Sequence, residues 1–284
     1  MHPDGTIDFE AWQRLLEFHL SGGTSAAIVG GTTGESATIT DTELKQLVIA
    51  ARDFARGRMA IIAGAGVSST AMTVERVRWL GELEIDGLLV VTPAYVKPTQ
   101  EGLFQHYSAV AAAAKVPVVL YNVPGRTGVD MLPATVARLA VVPRIVAIKE
   151  AVAGAARVRE ILSLAPKFTV LSGDDATCRE AVLAGARGVI SVTANVAPKG
   201  MSEMIAAALA GDAVRAAALD APLAGLHHEL FVEGNPIPVK WALERMGMIQ
   251  AGIRLPMTPL AESFHGRVSA AMDAAGLKSG SRGS

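Results

Sequence analysis

The chain is poor in the residues that cross-link a protein, hold a metal or bind polyanions. Of 284 residues one is cysteine, Cys178, so no disulfide closes within the chain and no thiolate cage forms from it. That fits a reducing compartment, and the cytoplasm is the expected location. Six histidines are scattered, and the adjacent His227 and His228 diverge around a helix. No metal-ligand pair is legible, and neither a metal nor a cofactor is expected. Lys and Arg total 26 against 27 Asp and Glu, which leaves no basic excess for a nucleic-acid surface. No apolar run is long enough to span a bilayer, and nothing near Met1 has the pattern of a secretory leader. A small molecule is the expected partner, not nucleic acid or membrane. Aromatics make up only 5% of the chain, with three tyrosines, so their clustering at any one place carries weight.

What is abundant is apolar surface: half the residues are hydrophobic and 19% charged, the composition of a folded protein. Short β-branched runs alternate with helical patterns. Strands are expected at Ala26 to Gly30, Met59 to Ala63, Gly87 to Val91, Val116 to Tyr121, Ile145 to Lys149, Phe168 to Ser172 and Gly188 to Val192. Each run is nearly all apolar, as in parallel strands covered on both faces. Thr40 and Asp41 open a helix that ends at Gly57, Thr99 opens one running to Lys115, and another begins near Pro133. After Val192 only helices are expected, over Pro198 to Ala210, Asp212 to Phe231, Pro238 to Met248 and Pro259 to Gly276.

This βα repeat suits either an eight-stranded (β/α)8 TIM barrel or an open doubly wound sheet. In a barrel, reactive residues come from the C-terminal ends of several strands, and Thr32, Tyr95, Tyr121 and Lys149 all sit at or just beyond a strand end. With no dinucleotide glycine fingerprint in competition, the expectation is an α/β TIM barrel over 1–197, a C-terminal helical appendix over 198–277 and a frayed tail over 278–284.

Lys149 closes the otherwise apolar run Ile145-Val-Ala-Ile-Lys. Burial there lowers an ammonium pKa from near ~10.4 toward ~7 to 8, giving the neutral amine that attacks a carbonyl. The alternative is a strand-end ion pair with the following Glu150. Gly30-Gly-Thr-Thr-Gly-Glu-Ser36 follows a strand and precedes a helix, where backbone N–H groups converge on an anion. It lacks the Gly-Lys-Ser/Thr ending of a nucleotide site, so a carboxylate fits better, or else the run is a plain glycine turn. Tyr121-Asn-Val-Pro-Gly-Arg126 sets a phenol at a strand end with a guanidinium in the loop after it. Arg126 could clamp a second carboxylate or be a solvated charge, and a rim tyrosine is often only packing.

Set in order, Gly31-Thr-Thr-Gly-Glu-Ser36, Val91-Thr-Pro-Ala-Tyr95, Tyr121-Asn-Val-Pro-Gly-Arg-Thr127, Ile148-Lys-Glu150, Leu171-Ser-Gly-Asp-Asp175, Gly188-Val-Ile-Ser-Val-Thr-Ala-Asn195 and Asn235-Pro-Ile-Pro-Val-Lys-Trp241 are similar to a known set of motifs. The chain resembles the 4-hydroxy-tetrahydrodipicolinate synthase (dihydrodipicolinate synthase) family of pyruvate-dependent lyases, from Asp4 to about Leu277. The resemblance implies a Schiff-base lyase that condenses pyruvate with aspartate-semialdehyde on the way to diaminopimelate and lysine. It implies that Lys149 carries pyruvate as an imine and that Tyr121 shuttles protons through Thr32 to Tyr95. That last tyrosine would be supplied across the interface of a homodimer or homotetramer. Thr33 would hold the pyruvate carboxylate and Arg126 that of the semialdehyde, with Gly173 and Ile190 lining the pocket.

Two departures set further expectations. The family opens with a strand ending in Thr-Pro, whereas this chain reads Met1-His-Pro-Asp-Gly, so the first barrel strand is expected to be missing and the natural start to lie upstream. Positions where lysine-sensitive members carry His, Glu and Tyr read Leu44, Met72 and Ala94, so weak inhibition by lysine is expected. Sialic acid and keto-sugar-acid lyases, or a non-catalytic keto-acid-binding barrel, remain the alternatives.

Overall fold

The computed structural model describes residues 1–278 and has an α/β fold. In chain order the elements are α1 (Phe9–Ser21), β1 (Ala26–Val29), α2 (Asp41–Ala55), β2 (Ala60–Gly64), α3 (Thr70–Leu80), β3 (Gly87–Val91), α4 (Gln100–Ala113), β4 (Val118–Asn122), α5 (Pro124–Thr127), α6 (Pro133–Leu139), β5 (Ile145–Glu150), α7 (Ala155–Leu164), β6 (Thr169–Ser172), α8 (Cys178–Leu183), α9 (Pro198–Leu209), α10 (Ala213–Asp220), α11 (Ala224–Glu229), α12 (Ile237–Arg245) and α13 (Glu262–Ala274). Two compact units emerge, one of Ala60–Ile190 and one of Met1–Met59 with residues 191–278.

In the Ala60–Ile190 unit, β2 to β6 form a parallel sheet in chain order. The helices follow the same order, α3 packing on α4, α4 on α6, α6 on α7 and α7 on α8. Strands β3 and β4 are buried almost throughout, which is why their sequences carry no polar alternation. Tyr107 of α4 is fully buried and donates its hydroxyl to the Val90 carbonyl at 3.0 Å, so this third tyrosine is a packing residue. Val118 pairs with Ile145 but Val119 with Ala147, so Val146 is an extra residue, a β-bulge on β5.

The expected seventh strand at Gly188 to Val192 is corrected to a single bridge, Ser172 with Val189. Beyond it the Ser191 hydroxyl accepts the Ala194 N–H at 2.8 Å, and the backbone winds into a 3₁₀ turn, Thr193–Asn195.

In the other unit, Asp8 caps α1 by accepting from the Ala11 N–H at 2.8 Å. Thr40 and Glu43 cap α2 reciprocally in a capping box. The single helix expected from Asp212 to Phe231 is instead α10, a 3₁₀ turn at Ala221–Leu223 and α11, since Pro222 removes a helical donor. No helix among the described residues is long and apolar enough to cross a membrane. The tail expected over 278–284 lies, beyond Lys278, outside the described residues.

Candidate active site

At the C-terminal ends of β4 and β5, Tyr121 and Lys149 are direct register partners. The Lys149 Nζ stands 4.3 Å from the Tyr121 ring centroid, a cation–π contact whenever the amine is charged. Lys149 is half-buried and Tyr121 buried. The strand-end ion pair with Glu150 does not form. Successive strand residues point to opposite faces, and Glu150 turns away to accept from Asn122 and from the Val152 N–H at 2.8 Å.

Gly173 follows β6 and donates its N–H to the Glu150 carbonyl at 2.7 Å. A Cβ there would lie 3.0 Å from Lys149 Cε and 3.1 Å from its Cγ, so only glycine lets the lysine stem pass unhindered. The Ile190 N–H donates to the Ser172 carbonyl at 2.9 Å, which sets Ile190 beside the end of β6. Arg126, expected in a loop stiffened by proline, lies exposed on the helical turn α5. Pro124 suits the first helical position, and Gly128 closes the turn in the left-handed region.

Tyr95 joins this group through its backbone, its N–H donating to the Thr127 carbonyl of α5 at 3.2 Å. Its φ is 72°, and the Val96 N–H donates to the Ala94 carbonyl at 2.8 Å, a positive-φ γ-turn rare for a side chain of this size. The turn drives the phenol outward, 93% exposed.

Thr32 and Thr33 belong to the other unit, on the turn between β1 and α2. Inside that turn Glu35 N–H donates to Thr32 O at 3.1 Å and Ser36 N–H to Gly31 O at 3.3 Å. Thr33 Oγ1 accepts from Asn235 Nδ2 at 3.0 Å. The buried Glu35, at φ 56°, pairs with Lys240 of α12. Asn235 and Lys240 were visible only as parts of a motif, and the signal for their role is the contact itself.

The residues sequence reasoning missed form a partly buried network behind the strand ends. Asn122 Nδ2 donates to Glu150 Oε1 and Oε2 at 3.0 and 3.1 Å and to Asp130 Oδ1 at 2.7 Å. Arg157 of α7 grips Asp130 Oδ2 at 2.7 Å. Burial pushes Glu150 up to about 7, against the bonds from Val152 and Asn122 and the charge of Arg157. Burial also opposes ionisation of Asp130, but the bonds from Arg157 and Asn122 prevail and hold it below the usual carboxylate range. The available signal was that Asn122 and Glu150 are polar residues ending apolar strands, each next to a candidate site residue.

The sequence model of the Dihydrodipicolinate synthetase family matches residues 1–275. The 4-hydroxy-tetrahydrodipicolinate synthase of Methylococcus capsulatus is 53% identical over 98% of this chain and 96% of its own. That of Laribacter hongkongensis is 51% identical over the same shares. Among solved structures, the chloride-inhibited dihydrodipicolinate synthase of Acinetobacter baumannii complexed with pyruvate superposes with a TM-score of 0.96 and 47% identity. That match covers 98% of this chain and 96% of the other. The chain belongs to the dihydrodipicolinate synthetase family. It is an enzyme, a lyase of the Schiff-base class, with a place in diaminopimelate and lysine biosynthesis.

Proposed function

We propose that the chain condenses pyruvate with L-aspartate-4-semialdehyde, with Lys149 as the residue that carries pyruvate. The observation that supports it is the pairing of Lys149 with Tyr121 across the ends of β4 and β5, with Gly173 clearing the lysine stem. In this reading the Lys149 amine adds to the ketone carbon and water leaves, forming an imine. Loss of a C3 proton gives an enamine whose carbon attacks the aldehyde, and release of the product regenerates the amine. Tyr121 moves the protons in these steps.

The family pattern assigns Thr32 to the proton relay, Thr33 to the pyruvate carboxylate and Arg126 to the carboxylate of the semialdehyde. Ile190 and Gly173 line the pyruvate pocket. The outward phenol of Tyr95 supports a role in a neighbouring copy, which makes the active form a homodimer or homotetramer. The barrel closure and the cytoplasmic location belong to the same reading, as does weak inhibition by lysine: Leu44 is a buried apolar residue and offers no partner to an ammonium.

Borohydride reduction in the presence of pyruvate tests the central step. The expected result is a stable adduct that maps to Lys149 and is absent from Lys149→Ala. No adduct on native protein would favour a non-catalytic keto-acid-binding barrel. Turnover with sugar-derived aldehydes in place of the semialdehyde would favour a keto-sugar-acid lyase.

A further inference from the structure

One register step beyond Tyr121 and Lys149, the strands carry a second pair, Asn122 and Glu150, on their opposite face. Asn122 cannot flip its amide, because Oδ1 accepts from the Met131 N–H at 2.9 Å while Nδ2 spans Glu150 and Asp130. Every hydrogen bond to the Glu150 carboxylate therefore comes from a fixed donor. The groups facing it are Asn122 from β4, Asp130 from the segment before α6, Arg157 from α7 and Val152 N–H from its own chain end. From β6 its register partner is Ser172, whose hydroxyl donates to the Asp174 carbonyl at 3.0 Å. Ionised, Glu150 accepts all of its bonds. Protonated, one oxygen becomes a donor facing the Asn122 amide, itself a donor, and the tie between β4 and β5 loses a bond.

We propose that Glu150 is a positioning residue for the condensation: its carboxylate, gripping Asn122, locks the ends of β4 and β5 so that Lys149 stays in place over Tyr121. The inference rests on the function proposed above. Because burial holds Glu150 near neutrality, its two states interchange close to working pH.

The test is the pH dependence of kcat and of the KM for pyruvate on the full chain. For the native protein kcat should fall on the acid side with a midpoint close to 7, while KM changes little. Glu150→Gln should lower kcat by about tenfold to 100-fold, as expected for a misplaced reactive group, and erase the acid limb. Arg157→Met, which strips a positive charge from beside Glu150 and frees Asp130, should move the limb to higher pH. A folded Glu150→Gln protein that keeps the native acid limb overturns the proposal. If that variant fails to fold, an unmoved limb in Arg157→Met overturns it instead. Native protein that traps no pyruvate under borohydride removes the functional reading itself; trapping with an unaltered limb in both variants removes only the positioning role.

Discussion

Gly173 is defined by what it leaves room for. With Lys149 Cε 3.0 Å from the site of a Cβ, Gly173→Ala must displace either the lysine stem or the neighbouring Ala151, whose Cβ is also 3.0 Å away. A 1 Å shift of a reactive group can cost about 100-fold, so we expect kcat to drop by about tenfold or more with little change in melting temperature. Steady-state kinetics beside thermal melts check it. Two carboxylates also fix how stability depends on pH, with opposite signs. Glu43 accepts from the Arg254 guanidinium, with Nη1 to Oε2 at 2.9 Å, and this bond first of all brings it down to about 2 from an ordinary 4.5. Its contribution is therefore present above 4.5 and lost as pH falls toward about 2. Glu150, raised to about 7, stabilises below 4.5 and loses that contribution as pH rises through about 7. Melting temperatures across this range should show Glu43→Gln flattening the acid side and Glu150→Gln flattening the rise-side loss.

Among the elements, β5 has the most delicate design. The run Ile145-Val-Ala-Ile-Lys reads as an unbroken strand, and nothing in its composition marks Val146 as the residue that does not pair. Yet the bulge there decides that Tyr121 meets Lys149 rather than Ile148. Deleting Val146 should remove the bulge while leaving Ala147 opposite Val119 and Lys149 opposite Tyr121. We expect a folded chain that still forms the pyruvate adduct under borohydride, read by mass spectrometry, because the pairing at the strand ends is kept. The helix starts at Thr40 and Thr99 were legible because capping chemistry is local, a side-chain oxygen meeting an N–H two or three residues on. The break at Pro222 was readable in principle, since proline lacks the donor a continuous helix needs there.

At the scale of the molecule, the exposed and strained Tyr95 is an anomaly in a lone chain. Strain of this kind persists only where surrounding structure holds it, and it concentrates at functional positions. If a second copy uses the phenol, a mixture of Tyr95→Phe and Lys149→Ala chains, dissociated and reassembled together, should recover activity that neither variant has alone. In such a pair one site keeps its own Lys149 and receives Tyr95 from the other chain. Mixtures no more active than the sum of the two variants would place Tyr95 outside the reaction, and light scattering on native protein gives the assembly size directly.

The sequence alone determined the parallel βα order, the helix caps and the candidates Lys149 and Tyr121, because hydrophobic period, capping and strand-end polarity are local signals, whereas Thr33 and Gly173 entered only through the family motifs they belong to. Only the tertiary structure decided which residues meet. The bulge at Val146, the single bridge in place of a seventh strand, the Asn122–Glu150–Asp130–Arg157 network and the grip of Asn235 on Thr33 all depend on groups far apart in the chain. Even Asn122 and Asp130, eight residues apart, carry no local signal that they pair; folding brings such partners within bonding distance, and burial then fixes their charge.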